Sequence, residues 1–317
     1  MTSPSFVPYT TPPVDFSTDL NLTSLKGKCA LLTGAASGLG AATAVALAKA
    51  GCFVTVVDLN EAGGIAFVEK TEKEHDVKMN FAQADVTSYP SLLSAFKSAI
   101  ASNPQKTLDI VIPFAGLMGA PVTALLAEVP STADPTAPSM TTLDVNFKGV
   151  FYTTHLALHY FRQSPETEKN LILIASQLAY INPPGWLDYT SSKEAVRGLF
   201  HSLRYSSRQL WLGLPNLRTN LIAPGLIDTP MSHDRLPWLE NEKGFAVGEP
   251  SDVVNVVLRV LSDKTIDGRA VSGGKDVAVD LCDDIEGQFG SRECRKLIES
   301  GKLGWGPSKT GFFDMVE

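Results

Sequence analysis

Lys28-Cys29-Ala30-Leu31-Leu32-Thr33-Gly34-Ala35-Ala36-Ser37-Gly38-Leu39-Gly40 decides the fold of this 317-residue chain. Lys28 to Leu32 is a short apolar run that reads as a buried strand. A Gly-rich turn follows directly, and Ala41 to Ala50 then reads as a helix ending at Gly51. Strand, Gly-rich turn and helix in that order form the context that a dinucleotide phosphate requires. Glycines let the backbone approach a pyrophosphate, and the helix start offers N–H groups and the positive end of its dipole. Gly34, Ser37, Gly38, Leu39 and Gly40 are therefore expected to meet such a ligand.

Working outward, Phe53-Val54-Thr55-Val56-Val57 is a second apolar strand, and it ends in Asp58, eighteen residues after Gly40. That offset suits a carboxylate gripping an adenosine ribose. An acid there hydrogen-bonds free ribose hydroxyls and repels a 2′-phosphate. Neither Ser37 nor Leu59 is basic, so nothing offsets it, and NAD is expected over NADP. Further along, Tyr189-Thr190-Ser191-Ser192-Lys193 follows Ser176 by thirteen residues. If Tyr189 opens a helix, Lys193 lies one turn up the same face. A phenol of ordinary pKa, about 10, is a poor base near neutral pH. Lowering it by roughly three units takes about 4 kcal/mol. One cation about 4 Å away in a medium of effective dielectric about 20 supplies that order of energy. Ser176 would then hold the substrate oxygen.

Strand-like and helix-like segments alternate along the chain, which implies an α/β fold with a parallel, doubly wound sheet. Strands are expected near 28–33, 53–58, 79–84, 109–114, 171–176, 218–223 and 269–272. Helices are expected near 38–50, 60–74, 89–101, 140–163, 189–211 and 250–262. Asp109-Ile110-Val111-Ile112 and Leu171-Ile172-Leu173-Ile174 are near-continuous apolar runs, as strands buried on both faces should be.

Gly34-x-x-x-Gly38-x-Gly40, Asp58, Asp85-Val86, Asn146, Ser176, Tyr189, Lys193 and Pro224-Gly225 stand in the order of one family's motifs. On them the chain resembles the short-chain dehydrogenases/reductases of the compact, single-domain branch. The resemblance runs from about Lys26 to Leu281. It implies a Rossmann-like, mostly seven-stranded parallel sheet flanked by helices, and a role for each matching position. Asp85 would contact the adenine amine and Val86 would pack beside the ring. Asn146 would kink a helix and hold a water of a proton relay. Lys193 would also bind the nicotinamide ribose, with Ile227 and Thr229 at the carboxamide and Pro224-Gly225 beside them. The family's Asn-Asn-Ala-Gly is here Pro113-Phe114-Ala115-Gly116. Two bracing amides are lost, while Ala115 and Gly116 still leave room for a ribose. Within the family the chain is similar to fungal dehydrogenases of polyketide or terpenoid pathways, such as the averantin type.

Composition narrows the remaining classes. A hydrophobic content of 44% without an apolar run near twenty residues gives no membrane span. A net charge of −7 gives no support for nucleic-acid binding. Cys29, Cys52, Cys282 and Cys294 are scattered without metal spacing. Buried thiols beside strands suit a reducing, cytoplasmic setting. His155 and His159 stand four apart on an expected helix, but no third ligand accompanies them, so no metal is expected. That helix carries Phe147, Phe151, Leu156, Leu158, Tyr160 and Phe161, more apolar surface than one seam needs. With the family resemblance this points to a homodimer or homotetramer. Residues 1–25 are rich in proline and lack the basic start and apolar core of a secretory leader, and read as a loosely held arm. Residues 26–281 read as a single NAD-binding domain, and 282–317 as a C-terminal tail.

Substrate information is concentrated after Pro224-Gly225, where about 226–248 occupies the place of the family's mobile lid. Met231, Leu236, Trp238 and Phe245 are candidates for an apolar pocket, with Gln177, Leu178, Ile181 and Trp186 near the catalytic residues. Pockets for small molecules are mostly apolar with few polar anchors, so a bulky lipophilic secondary alcohol or ketone is expected. His233 and Arg235 leave open an anionic group. The expected reaction is NAD-dependent interconversion of alcohol and ketone, with Asn146, Ser176, Tyr189 and Lys193 catalytic. The alternatives are a non-redox reaction on the same fold, such as cyclisation or epimerisation, or a cofactor-binding scaffold.

Overall fold

In a computed structural model of the protein, the residues described are 11–122, 134, 137–181, 185–206, 212–237, 246–275 and 277–283. The first half is β1 (Cys29–Thr33), α1 (Gly38–Lys49), β2 (Phe53–Asp58), α2 (Glu61–His75), β3 (Met79–Gln83), α3 (Tyr89–Ser102) and β4 (Ile110–Pro113). A long helix α4 follows in three parts, Thr141–Leu143, a π-helical turn Asp144–Gly149, and Val150–Phe161. Next come β5 (Lys169–Ile174), the short helix α5 (Leu178–Ile181), α6 (Leu187–Ser206), β6 (Leu217–Pro224), α7 (Pro250–Ser262), β7 (Ala270–Gly274) and β8 (Val277–Asp280).

One sheet runs in the order β3-β2-β1-β4-β5-β6-β7-β8. All neighbours pair in parallel except β7 and β8, which are antiparallel. The chain winds from β1 outward to β3 and then crosses back to β4. The loops after β1 and β4 therefore diverge and open a crevice at their carboxyl ends, where such sheets bind ligands. Alternation within each strand feeds two cores. Leu31, Val111, Leu171 and Leu173 face the layer of α3, α4 and α6. Ala30, Leu32, Ile110, Ile112, Ile172 and Ile174 face the layer of α1 and α7. This two-sided burial is why these strands read as unbroken apolar runs.

The amino ends of the central strands, opposite the crevice, carry a buried ion pair. Lys169 Nζ donates to Asp109 Oδ1 at 3.1 Å, and the other carboxylate oxygen accepts from Cys29 N at 3.0 Å. One acid thus fixes the starts of β1, β4 and β5 together.

Three features depart from the sequence-based expectation. The sheet has an eighth strand, a hairpin return too short and too Gly-flanked to stand out in the pattern. A single-turn helix, α5, follows Ser176-Gln177. Residues 11–25 are not loosely held. Thr11 Oγ1 donates to Asp267 O at 2.8 Å, and Val14 N donates to Asp280 Oδ2 at 2.9 Å. Arg259 Nη1 donates to Thr18 Oγ1 at 2.9 Å. These ties run to partners more than two hundred residues away, and no local periodicity announces them.

Candidate active site

The Gly-rich turn is shaped by backbone crowding. Gly34 has φ +62°, and a Cβ there would stand 2.5 Å from Ala115 Cα, so the turn after β1 packs directly on the loop after β4. A Cβ on Gly40 would lie 2.3 Å from Gly34 O, so the helix closes tightly over its own turn. Ser37 is the N-cap of α1 and makes no side-chain capping bond. The N–H groups of the first turn, at Gly38, Leu39 and Gly40, are therefore left for an external anion. This bare, close-approach cradle fits a pyrophosphate.

Asp58 ends β2 beside that cradle. Its Oδ2 accepts from Ala36 N at 3.0 Å and its Oδ1 from Asn60 N at 3.1 Å. The carboxylate is thus held beside the Gly-rich turn with lone pairs to spare. Leu59, next in sequence, is 66% exposed and adds no charge. Asp85 closes a turn, accepting from Thr87 N and Thr87 Oγ1, both at 2.8 Å. Val86 is buried against Gly149, where a Cβ would come within 2.8 Å of Val86 Cγ2.

Pro113 and Phe114 hold β1 and β4 together at the base of the crevice without amide side chains. Pro113 sits in register with Thr33, and Phe114 N donates to Thr33 O at 3.0 Å. The Phe114 ring packs into the core on the α1 side. Backbone bonding and apolar packing thus bridge β1 and β4 where the usual pair of asparagines is missing. Asn146 braces the next stretch. It lies in the π turn of α4 and is fully buried. Its Oδ1 accepts from Leu117 N at 2.7 Å, and its Nδ2 donates to Leu117 O at 2.8 Å and to Ser192 Oγ at 3.0 Å. Ser192 in turn donates to Tyr189 O at 2.7 Å. One amide therefore couples the β4 loop, α4 and the first turn of α6. The sequence did not mark Ser192 as a participant, because a serine on a helix carries no distinctive signal.

Ser176, Tyr189 and Lys193 are all buried near the ends of β5 and β6. Ser176 Oγ accepts from Leu178 N at 3.1 Å, which leaves its hydroxyl hydrogen to be donated to a neighbouring oxygen. Burial pushes the Tyr189 phenol above its usual range, and hydrogen bonding to Ser176 pulls it partly back. Lys193 Nζ donates to Ile174 O at 3.2 Å and lies 5.8 Å from the centre of the Tyr189 ring. Burial lowers the Lys193 pKa to about 8. Gly116 borders this group: a Cβ there would be 3.4 Å from Asn146 Oδ1 and 3.7 Å from Lys193 Nζ.

The end of β6 completes the rim. Gly225 N donates to Gly273 O at 2.9 Å, and Gln177 N donates to Pro224 O at 3.0 Å. Thr229 stands over the Gly-rich turn, with its Cβ 3.6 Å from where a Gly38 Cβ would be. Ile227 is buried and pairs with Gly248 in an isolated bridge. The structure thus brings the Gly-rich turn, Ala115-Gly116, Asn146, Lys193 and Thr229 around one crevice.

Candidate substrate residues divide. Leu178, two residues after Ser176, and Trp186, three before Tyr189, are part-buried, and Met231 is 44% exposed. Leu236 is buried. Gln177 turns elsewhere: its Nε2 donates to Ser272 Oγ at 2.8 Å, spanning from the end of β5 to β7. His233 is taken up by Asp228, with Nδ1 3.1 Å from Oδ1. Trp238 and Phe245 lie outside the described residues. Asp188 was not foreseen. Its carboxylate presses on Gly119, where a Cβ would lie 2.0 Å from both oxygens, and it narrows the rim beside Tyr189.

Comparison with known proteins agrees with this architecture. The family model for short chain dehydrogenase matches residues 28–240, and the chain belongs to that family of oxidoreductases, which bind a nicotinamide cofactor. It is 35% identical over 304 residues to 5′-hydroxyaverantin dehydrogenase of Dothistroma septosporum, covering 89% of this chain and 96% of that one. It is also 35% identical over 298 residues to NADP-dependent dehydrogenase M3 of a Phoma species, covering 86% and 84%. Among solved structures, a 3-ketoacyl-(acyl-carrier-protein) reductase from Brucella melitensis complexed with NADH superposes with a TM-score of 0.65. That likeness covers 78% of this chain and 97% of the other at 23% identity, and it shows the fold alone.

Proposed function

We propose that the protein oxidises a secondary alcohol of a bulky, lipophilic secondary metabolite to a ketone, with NAD as its redox partner. The observation that carries this reading is the convergence of Ser176, Tyr189 and Lys193, all buried, on the crevice beside Gly116 and Asn146. The oxidised nicotinamide ring, when bound, accepts the hydride and carries a positive charge. Gly38, Leu39 and Gly40 would hold the pyrophosphate, Asp58 the adenosine ribose, Asp85 and Val86 the adenine, and Lys193 the second ribose. Ala115, Gly116, Pro224, Gly225, Ile227 and Thr229 would line the nicotinamide end.

The chain's own chemistry is proton transfer. Ser176 turns its hydroxyl to hydrogen-bond the substrate oxygen and fixes it. Tyr189, as phenolate, removes the hydroxyl proton. In the protein alone burial holds the phenol above its usual range, so ionisation at neutral pH relies on positive charge nearby. Lys193 supplies part of it in its ammonium form. The amide of Asn146 is occupied by Leu117 and Ser192, so its first task is to hold Gly116 and α6 in place, with one Oδ1 lone pair left for a relay water.

The cofactor preference rests on Asp58. A carboxylate at the ribose, with no basic group at Ser37 or Leu59, disfavours a 2′-phosphate. Relatives named as NADP-dependent, among them M3 at 35% identity, favour the opposite assignment. Competition between the two cofactors for the purified protein decides between them. The name of the Dothistroma relative supports a substrate class like 5′-hydroxyaverantin, and the exposed Met231 with part-buried Leu178 and Trp186 supports a large apolar one. We place residues 26–281 in one catalytic unit with a lid at about 226–248. Phe151, 49% exposed on α4, supports association into a homodimer or homotetramer. Cys29 and Cys52 are buried thiols whose pKa values burial pushes up to about 11 and about 12, which suits a cytoplasmic enzyme.

The test is incubation with 5′-hydroxyaverantin, and separately with a lipophilic metabolite extract, in the presence of NAD. Mass spectrometry then follows loss of two hydrogens. A product formed by wild type and absent with Tyr189→Phe supports the reading. A stereochemical change with no NADH formed would overturn it in favour of epimerisation.

A further inference from the structure

Asp283, three residues beyond β8, is buried to 2% side-chain exposure and is the hub of a cluster no sequence motif marks. Arg197 grips it with two parallel bonds, Nε to Oδ2 and Nη2 to Oδ1, both 2.9 Å. Tyr180 Oη donates to Oδ2 at 2.8 Å, and His201 Nε2 lies 2.9 Å from the same oxygen. Arg204 bonds the Asp283 carbonyl. Arg197 also donates to Ala179 O at 3.2 Å, and its guanidinium stacks 4.2 Å from the centre of the Tyr180 ring.

The placement of these partners is what matters. Tyr180 stands four residues after Ser176 and Arg197 four residues after Lys193. Each is about one helical turn behind a catalytic side chain. The Asp283 carboxylate therefore ties α5, which continues from Ser176, to α6, which carries Tyr189 and Lys193. Bidentate arginine pairs fix orientation as well as distance. α5 is a single turn that follows a loop; Ala179 is fully buried and Tyr180 packs against the core on the α6 side, and the Asp283 tie sets the angle at which that turn meets α6.

We infer that Asp283 is a positioning residue for the dehydrogenase reaction, holding the Ser176 segment at a fixed separation from Tyr189 and Lys193. The inference rests on the proposed roles of those three residues. It assigns the region just after the sheet to the active site, although Asp283 touches none of the reacting groups. Displacements near 1 Å at a reacting centre cost up to about a hundredfold in rate, so a loosened α5–α6 contact shows in turnover before it shows in binding.

The experiment compares wild type, Asp283→Asn and the milder Tyr180→Phe, which removes one bond and keeps the ring under Arg197. Three quantities are read: NADH affinity by fluorescence, thermal stability, and Tyr189 ionisation in the NAD-loaded protein. The last is the ultraviolet difference spectrum against a Tyr189→Phe background. Each protein is set against the same protein carrying Tyr189→Phe, so the remaining tyrosines, Tyr180 among them, cancel. Expected are NADH affinity within about twofold of wild type, a Tyr189 titration displaced to higher pH, and turnover of 5′-hydroxyaverantin down about tenfold at unchanged KM. An unmoved Tyr189 titration in both variants, with only stability lowered, would overturn the inference and leave Asp283 a structural anchor. If wild type itself does not oxidise 5′-hydroxyaverantin, the substrate assignment fails, and the Tyr189 titration still decides this inference.

Discussion

Replacing Lys193 with methionine should make the cofactor-free protein more stable while destroying its activity. Lys193 is 6% exposed, and burial alone brings its pKa from the ordinary 10.5 to about 8. That gap corresponds to about 3 kcal/mol at 1.36 kcal/mol per pH unit. The sign follows from which state sheds its proton first. Below about pH 8 both folded and unfolded lysine are charged, and the folded state bears the whole cost of a buried ammonium. Between about 8 and 10.5 the folded lysine becomes neutral while the unfolded one stays charged, and the cost fades. Methionine fills nearly the same volume without charge. It leaves Ile174 O without its donor, a loss of about 1 kcal/mol. The net expected gain below pH 8 is about 2 kcal/mol, or about 3 °C in Tm for a chain of this length. Thermal unfolding of both proteins without cofactor at pH 6.5 and pH 10, settings chosen on either side of the titration as about its bounds, makes the comparison. A variant less stable than wild type at the lower pH, or a difference that does not shrink at the higher one, would refute this account of the site's electrostatics.

Other outcomes follow from the same geometry. Asp58→Ala should raise the preference for NADP relative to NAD by at least about tenfold in Kd, because a like charge beside the 2′-phosphate is removed; an unchanged ratio would place discrimination elsewhere. Gly34→Ala should cost about 1–3 kcal/mol and sharply weaken NADH binding, since its Cβ meets the Ala115 backbone at 2.5 Å. Gly38→Ala, with no contact closer than 3.6 Å, should cost only the strain of its +53° φ, about 1–2 kcal/mol. Asp109→Ala strands the fully buried Lys169 and orphans Cys29 N, so urea denaturation should show a loss of about 3–5 kcal/mol; a loss under about 1 kcal/mol would mean Lys169 finds water.

The parts of the molecule legible in the sequence are those where chemistry is local. The turn Thr33 to Gly40 announces itself because only glycine tolerates the φ of Gly34 and the closeness of Gly40 to Gly34 O. Strands β1, β4 and β5 announce themselves because both faces are buried. Tyr189 and Lys193 share a helix face by simple spacing. What stayed hidden depends on partners far along the chain. The ties from Thr11 and Val14 to Asp267 and Asp280 have no sequence signature. Gln177 sits beside Ser176 in sequence, yet a bond to Ser272 draws its amide along the sheet end. Strand β8 escaped because a four-residue return after two glycines is too short for alternation to show. Asp283 escaped because one aspartate after a sheet looks like a surface turn until Arg197, Tyr180 and His201 close on it.

The most direct measurement is the turnover and cofactor binding of Tyr189→Phe beside wild type. Purified protein is given NAD and the alcohol recovered from the extract experiment, with NADH formation followed by absorbance and NADH affinity by fluorescence. Expected are wild-type turnover, NADH affinity within about threefold in the variant, and a loss of turnover of at least about a hundredfold, the contribution of a general base. A variant that binds NADH and still oxidises the alcohol at a comparable rate would contradict the assignment of Tyr189 as the base.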